Sequence, residues 1–162
     1  MERGYTTRNR LAIEGGSNGG LLMGAVMVQR PDLCRAVVSE VGIYDMLRVE
    51  LTPNGAFNVT EFGSVKNEGQ FKALYAYSPL HHVQDGTNYP AVLLTTGEHD
   101  GRVEPWMSYK MAARLQAADP AGRPILLRVA SDAGHGFGTS LASVIDQDAD
   151  VFTFLFAQLG MR

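Results

Sequence analysis

The sequence has 162 residues, of which 45% are hydrophobic and 19% are charged, a balance that excludes a disordered tail and indicates one domain with a buried core. Fourteen basic and 17 acidic residues give a net charge of −3, so no nucleic-acid partner is expected. The single cysteine, Cys34, excludes an internal disulfide framework and a cysteine-based zinc finger. No apolar run reaches the ~18–20 residues of a membrane span, and the first residues lack the pattern of a signal peptide, so no membrane partner is expected either.

The first part of the chain predicts two strands separated by a helix. Residues 11–14 form a short, mostly apolar run that stops at two glycines, which is typical of a buried strand. Residues 21–29 are almost entirely apolar and indicate a buried helix that ends before Pro31. Residues 36–41 form another apolar run and predict a second strand.

The rest of the chain continues this alternation after an irregular stretch. Residues 44–88 contain turn signals and are expected to form an excursion with short helices. A strand is predicted at 91–96, a helix after Pro105, a strand at 124–130 and a final amphipathic helix at 142–159. Strands that alternate with helices and are apolar throughout imply a parallel sheet covered on both faces. The predicted fold class is therefore α/β.

Residues 15–19, Gly-Gly-Ser-Asn-Gly, match the G-x-S-x-G nucleophile elbow. In this motif a strained strand-to-helix turn lifts the serine hydroxyl, here that of Ser17, clear of the backbone. Small residues two positions on either side are expected to let the turn close without side-chain clashes. The bare pattern is weak, but its position between a predicted strand and a predicted helix strengthens it. The alternative is an ordinary glycine-rich turn without chemistry.

A serine hydroxyl needs a base that removes its proton, and the best placed of the four histidines is His135. It lies between glycines immediately after the predicted strand 124–130. This position is at the carboxyl end of the sheet, where the elbow also lies. His81 and His82 fall in the irregular excursion and are expected to be capping or surface residues.

The histidine in turn needs a carboxylate that fixes its tautomer. Asp100 follows the third predicted strand at the same edge of the sheet. The order Ser17, Asp100, His135 is the chain order of α/β-hydrolases and differs from those of chymotrypsin-like and subtilisin-like enzymes. Glu98 and Asp132 are rival acids on the same loops.

A metal site is the alternative use of these side chains. His99 and His135 with nearby carboxylates could bind a metal on composition alone, but no His-Glu-x-x-His or comparable helical spacing occurs. The sequence therefore predicts neither a metal nor a cofactor.

Six segments carry a pattern far more specific than the elbow alone: Gly-Gly-Ser-Asn-Gly-Gly-Leu-Leu (15–22), Gln-Arg-Pro-Asp-Leu (29–33), Val-Gly-Ile-Tyr-Asp-Met-Leu (41–47), Tyr-Ser-Pro-Leu (77–80), His-Asp-Gly-Arg-Val (99–103) and Ala-Gly-His-Gly (133–136). In order and spacing they resemble the prolyl oligopeptidase family of serine peptidases over essentially the whole chain. The resemblance implies an α/β-hydrolase domain beside a β-propeller, with the catalytic triad on Ser17, Asp100 and His135.

The resemblance also implies contacts with a substrate. An oxyanion donor falls on the backbone N–H of Asn18, in agreement with the rule that the residue after the nucleophile donates. The arginine that holds the substrate backbone falls on Arg102, for which a solvated loop charge is the alternative. The apolar pocket for the residue before the scissile bond would include Ile43 and Phe62, which could also be ordinary core residues.

One departure from the family concerns proline selectivity. In the family a tryptophan that stacks on proline precedes an aromatic-glycine pair by four residues. The pair here is Phe62-Gly63, and the position four residues earlier is Asn58, with Phe57 beside it. Strict proline selectivity is therefore not expected unless Phe57 takes over the stacking role.

A second departure is length, because the chain resembles only the C-terminal part of such an enzyme. Residues 1–162 are expected to be a partial catalytic domain without the propeller, the first strands and the tyrosine that supplies the other oxyanion donor. The strand at 11–14 would then have a neighbour only in 36–41 and would be an unpaired edge, which is a pairing hazard. Self-association, or pairing with a missing N-terminal portion, is expected.

The leading functional hypothesis is a serine peptidase that cleaves short peptides through an acyl-enzyme, after proline or a small residue. An esterase or acyl-peptide hydrolase on the same triad is an alternative, because a triad does not choose its acyl substrate. A catalytically silent fragment that serves as an interaction module is a third possibility.

Overall fold

Strands and helices alternate along the computed structural model, which describes residues 1–120, 122–136 and 138–161. The strands are β1 (Ala12–Gly16), β2 (Ala36–Glu40), β3 (Ala91–Gly97) and β4 (Ile125–Ala130). The helices are α1 (Asn18–Gln29), α2 (Gly55–Phe62), α3 (Glu68–Tyr77), α4 (Trp106–Ala118) and α5 (Leu141–Leu159). Short 3₁₀ turns occupy Arg8–Arg10, Val49–Leu51 and Pro79–His82.

The strands form one sheet in the order β1-β2-β3-β4, and every neighbouring pair is parallel. Ala36 of β2 pairs with Ala12 of β1 on one side and with Ala91 of β3 on the other. Because parallel strands need a crossover to return to the same end of the sheet, all four carboxyl ends lie at one edge. Within the described ranges β1 has a neighbour on one side only, so the unpaired edge expected from the sequence is present.

Alternate residues of the central strands face two apolar clusters on opposite sides of the sheet. Val37 and Val92 pack in the larger cluster, together with α1, α4 and the excursion after β2. Val38 and Leu93 pack in the smaller cluster against Phe154 of α5. Both faces of β2 and β3 are therefore buried, which explains why residues 36–38 and 91–94 are apolar without alternation. The predicted α/β class is confirmed.

The element boundaries differ from the sequence-based expectation mainly around the first turn. Helix α1 begins at Asn18 and not at residue 21, because Gly19 and Gly20 have poor helix propensity and give no helical signal. Strand β1 continues through Gly15 and Gly16, the two glycines at which the sequence predicts its end. Throughout the described part of the chain, no helix is long and apolar enough to cross a membrane.

The excursion between β2 and β3 is closed at its base by hydrogen bonds. The N–H of Leu80 donates to the carbonyl of Tyr44 at 3.0 Å. His81 Nδ1 lies 2.8 Å from the buried Ser78 hydroxyl, and His82 Nε2 lies 2.7 Å from a backbone carbonyl of α3. These two histidines therefore have local structural partners, in line with the role that the sequence predicts for them.

Candidate active site

Ser17 occupies the turn between β1 and α1 in a strained conformation. Its φ of 58° and ψ of −117° lie in a region that non-glycine residues adopt at a cost of about 1–3 kcal/mol. The Ser17 N–H donates to the carbonyl of Glu40 at 2.8 Å, and the N–H of Leu21 donates to the Ser17 carbonyl at 3.1 Å. One bond ties the turn to the end of β2 and the other to the first turn of α1, so the half-buried hydroxyl is held at the carboxyl edge of the sheet.

The glycines around Ser17 do not all serve the purpose that the motif suggests. A Cβ on Gly15 would lie 2.8 Å from the carbonyl oxygen of Gly19, so a side chain there would prevent the turn from closing. A Cβ on Gly19 would meet nothing within 4 Å, and the expected steric reason is therefore wrong at that position. Gly20 is the crowded one, because its Cβ would lie 2.6 Å from the Cα of Gly42.

The three predicted catalytic side chains lie in one hydrogen-bonded row. His135 Nε2 is 2.9 Å from Ser17 Oγ, and His135 Nδ1 is 2.7 Å from Asp100 Oδ2. A carboxylate accepts only, so Nδ1 carries the proton and Nε2 of the neutral ring is free to accept the serine proton. The loops after β3 and β4 bring Asp100 and His135 to the edge where β1 delivers the serine, as the parallel topology requires.

Asp100 is buried, and backbone donors hold its carboxylate. Its Oδ1 accepts the N–H groups of Arg102 and Val103, each at 2.9 Å. Burial by itself raises the pKa of Asp100, but the hydrogen bonds from His135 and from these two N–H groups outweigh it and lower the pKa below its ordinary value. The carboxylate thus stays ionised beside the imidazole.

The rival acids lie elsewhere. Glu98 is exposed, and Asp132 accepts a hydrogen bond from the Ser143 hydroxyl at 3.2 Å. The His135 ring is hydrogen-bonded to Asp100 and Ser17 instead.

A cavity of about 460 Å³ opens beside Ser17 and His135 at the carboxyl edge of the sheet. It extends between the ends of β2, β3 and β4 and the start of α5. Charged and polar side chains on its wall include Arg102, Glu40, Arg128 and Gln147. The exposed Arg102 therefore lies where a bound molecule that reaches Ser17 could touch it.

Asn18, the residue after the serine, links the elbow to α2. Its Nδ2 donates to Glu61 Oε1 at 2.9 Å. As the first residue of α1, Asn18 has a backbone N–H that no intrahelical acceptor satisfies, and the helix dipole favours negative charge there.

The residues expected to bind the side chain of a substrate lie away from this cavity. Ile43 is buried in the larger core cluster, and the half-buried Phe62 packs against that cluster. Asn58 is 6% exposed, whereas its neighbour Phe57 on α2 is 60% exposed. None of these four residues borders the cavity beside Ser17, and their contact with a substrate remains a prediction.

The described histidines and carboxylates do not converge on a metal position. Among the described residues, no group of three or more histidine, cysteine, aspartate or glutamate side chains is arranged to hold a metal ion. His99 is exposed, while His135 is engaged with Ser17 and Asp100.

Sequence reasoning missed two residues of the site, Glu40 and Val41. Glu40 ends β2, accepts a hydrogen bond from the N–H of Ser17 through its carbonyl and borders the cavity. Val41 has a φ of 42°, which is a genuine outlier for a β-branched residue. A signal for Glu40 was present in the sequence: it is an acidic residue at the carboxyl end of an apolar strand, the edge at which the elbow was expected.

The comparisons of this sequence with known proteins agree on one family. The model of the prolyl oligopeptidase family matches residues 1–162. The prolyl endopeptidase of Dictyostelium discoideum is 44% identical over 165 residues, a match that covers 100% of this chain and 22% of that protein. The prolyl endopeptidase of Elizabethkingia miricola is 40% identical over 163 residues, covering 100% of this chain and 23% of that protein.

Solved structures agree with the sequence comparison. A structure from a study of two prolyl endopeptidases superimposes with a TM-score of 0.95 at 42% identity, covering 99% of this chain and 24% of that one. Prolyl oligopeptidase B from Galerina marginata, bound to a 35mer hydrolysis and macrocyclization substrate, gives a TM-score of 0.93 at 32% identity. The match covers 99% of this chain and 23% of that protein's chain.

Three facts follow from these matches and from the parallel sheet flanked by helices. The chain spans less than a quarter of the length of the relatives that it matches, 22–23% for the two endopeptidases. Its fold is that of the α/β-hydrolase catalytic domain of prolyl oligopeptidases. The chain belongs to the prolyl oligopeptidase family.

Proposed function

We propose that this chain carries the catalytic triad of a serine peptidase that cleaves short peptides, with Ser17 as nucleophile, His135 as base and Asp100 as the orienting acid. The observation that carries the proposal is the hydrogen-bonded row Ser17–His135–Asp100, with separations of 2.9 and 2.7 Å. Both distances are within hydrogen-bond reach, which is the geometric requirement for a base to activate a hydroxyl.

In the proposed reaction, Ser17 Oγ attacks the carbonyl carbon of the scissile peptide bond while His135 Nε2 takes the hydroxyl proton. The tetrahedral intermediate collapses to an acyl-enzyme when His135 returns that proton to the leaving amine. A water molecule then repeats the sequence and releases the acid, leaving Ser17 protonated. Asp100 remains ionised throughout, and its contact with Nδ1 stabilises the imidazolium that forms in each half-reaction.

The negative oxygen of the intermediate needs donors aimed at it. We assign one to the backbone N–H of Asn18, which is supported by its place at the start of α1 and by the rule that the residue after the nucleophile donates. The second donor is proposed to come from upstream residues of a longer protein. This assignment also makes residues 1–162 a part of the catalytic domain, in keeping with the small share of the relatives that the chain matches.

For the substrate we propose peptides cleaved after proline. The support is that relatives at 40–44% identity are named prolyl endopeptidases. Arg102, which borders the cavity beside Ser17, is proposed to hold a substrate carbonyl, and Ile43, Asn58 and Phe62 to surround the side chain before the scissile bond. The bond between Asn18 and Glu61 of α2 supports the last assignment, because it places the helix that carries Asn58 and Phe62 beside the elbow.

The experiment is covalent labelling with a fluorophosphonate, which reacts with an activated serine. The unaltered protein should be labelled at Ser17, and Ser17→Ala should abolish labelling. Ser143→Ala is the matched control, because Ser143 also borders the cavity but its hydroxyl is hydrogen-bonded to Asp132. If Ser17→Ala keeps its label, the nucleophile assignment is wrong. Peptide and ester substrates tested side by side then distinguish a peptidase from an esterase on the same triad.

A further inference from the structure

Glu40 lies between two strained residues at the centre of the site. Among the described residues, Ser17 and Val41 are the non-glycine residues with positive φ, at 58° and 42°. The Ser17 N–H donates to the carbonyl of Glu40, and Val41 follows Glu40 in the chain. Strained conformations persist only where their surroundings hold them in place. Whatever fixes Glu40 therefore helps to fix the elbow.

The side chain of Glu40 is itself anchored to two other elements. Its Oε2 accepts a hydrogen bond from Gln147 Nε2 on α5, and the hydroxyl of Thr95 on β3 lies 3.5 Å from the same oxygen. Glu40 and Gln147 are both half-buried, so water competes less for this bond than it would at an open surface. The elbow is thereby tied to α5.

The anchor continues from Gln147 to β4. Arg128 Nη1 lies 3.4 Å from Gln147 Oε1, and Arg128 Nε is 2.7 Å from Asp150 on α5. Strand β4 precedes the loop that carries His135, and α5 follows that loop. Glu40 is thus connected to both ends of the His135 loop, while its carbonyl holds the turn that carries Ser17.

We propose that Glu40 is a positioning residue that, through Gln147 and Arg128, sets the separation between Ser17 Oγ and His135 Nε2. This inference rests on the proposed function, because it assigns a role to the same pair of atoms. A shift of about 1 Å at a reacting pair can cost roughly 10²-fold in rate, so a bridge that spans the two loops has a measurable effect on the rate.

The electrostatics of the bridge identify an informative pair of variants. Burial raises the pKa of Glu40, the neighbouring carboxylates of Glu14 and Asp148 raise it further, and the bonds from Gln147 and Thr95 lower it. A second carboxylate at position 147 would therefore meet a site that already disfavours negative charge.

Gln147→Glu alone places two carboxylates in contact and breaks the bridge. Combining it with Glu40→Gln restores one carboxylate and one amide with their places exchanged, and the new carboxylate then faces Arg128. If the bridge positions the site, the double variant recovers the labelling rate that the single variant loses.

The test measures the rate constant of fluorophosphonate labelling at Ser17, together with the melting temperature, in the full chain. Gln147→Glu should slow labelling about tenfold or more, within the roughly 10²-fold range of small misplacements, and the double variant should return to near the original rate. Ala149→Glu is the control, since it adds the same charge at an exposed position on α5 and should leave the rate unchanged. The NMR resonances of the His135 ring should shift in Gln147→Glu and return in the double variant.

The outcomes separate this inference from the proposed function. Unchanged labelling in folded Gln147→Glu, or a double variant that recovers nothing, overturns the bridge while the nucleophile assignment stands. If the original chain is not labelled at all, the proposed function fails, and the His135 resonances still decide whether Glu40 and Gln147 position the ring. Should Gln147→Glu not fold, restored folding and labelling in the double variant supports the pairing, and a double variant that also stays unfolded overturns it.

Discussion

At the residue scale, the properties of the site depend on how Asp100 is held. Its side chain is buried, yet three hydrogen bonds reach its two oxygens: one from His135 and one each from the N–H groups of Arg102 and Val103. Burial alone would favour the neutral acid. These donors reverse that preference, and they also fix the direction in which the carboxylate meets the imidazole.

Replacement of Asp100 by asparagine should lower kcat by about 10⁴ while the fold is retained, because an amide in this place favours the wrong histidine tautomer. The measurement is kcat on a peptide substrate, in a form of the protein that hydrolyses this substrate measurably. Circular dichroism checks the folding. Asp132→Asn is the matched control, and its kcat should change little. A larger loss in Asp132→Asn than in Asp100→Asn would contradict the assignment of the acid.

The Asp100 carboxylate also makes the free energy of unfolding depend on pH. Because the pKa of Asp100 is lowered in the folded state, its contribution to the free energy of unfolding is fully present above its unfolded pKa of ~3.9. That contribution declines as the pH falls below this value, through the still lower folded pKa. Urea unfolding of the original chain and of Asp100→Asn should therefore show a stability difference that shrinks between pH 5 and acidic pH. A difference that stays constant over this range would refute the linkage.

At the scale of elements, the approach of α1 to the end of β2 decides which glycine is indispensable. Gly20 faces the backbone of Gly42 at a distance that leaves no room for a Cβ. Gly19, one residue earlier, faces open space. Of these two adjacent glycines in the first turn of α1, Gly20 has a steric requirement and Gly19 has none.

This difference predicts opposite effects of two alanine substitutions. Gly19→Ala should raise the free energy of unfolding by up to about 1 kcal/mol, because alanine is the better helix former and meets no neighbour. Gly20→Ala should lower it by about 1–3 kcal/mol through overpacking against the backbone of Gly42. Urea denaturation of the two variants checks both values. Equal effects, or a larger loss in Gly19→Ala, would show that the helix does not approach β2 as closely as described.

At the scale of the whole molecule, the sheet ends in a strand that carries part of the site. Strand β1 pairs with β2 alone within the described ranges, and it leads directly into Ser17. An unpaired edge strand offers its free N–H and carbonyl groups to other chains. Strand β4 forms the other edge, where Leu126 and Val129 are partly exposed.

The isolated 162-residue chain should therefore self-associate as its concentration rises, through the free edge of β1. Sedimentation velocity over a wide concentration range measures this. Leu126→Lys, which places a charge on the opposite edge, should leave the association in place and serves as the control. A chain that stays monomeric at all concentrations would contradict the prediction, and loss of association in Leu126→Lys would assign it to β4 instead.

Much of this architecture could be predicted from the sequence because its signals are local. Apolar runs bounded by glycine and proline identified β2, β3 and β4 as strands, and the alternation with helices identified a parallel sheet. The expected burial on both faces holds for β2 and β3 but is wrong for β4, which lies at the sheet edge with Leu126 and Val129 exposed. Parallel connection places all carboxyl ends at one edge, and this alone predicts that Ser17, Asp100 and His135 lie together. The order of these residues and the motifs around them were enough to suggest the family.

The tertiary structure alone decided the features that depend on residues far apart in the chain. Asp100, and neither Glu98 nor Asp132, contacts the His135 ring, because backbone N–H groups that no side-chain pattern reveals orient its carboxylate. Glycine is required at position 20 because α1 meets the backbone of Gly42 just after β2. The bond between Glu40 and Gln147 joins residues 107 positions apart. Contacts of this kind leave no periodic trace in a single sequence, since each partner by itself resembles any half-buried polar residue at the end of a strand or on a helix.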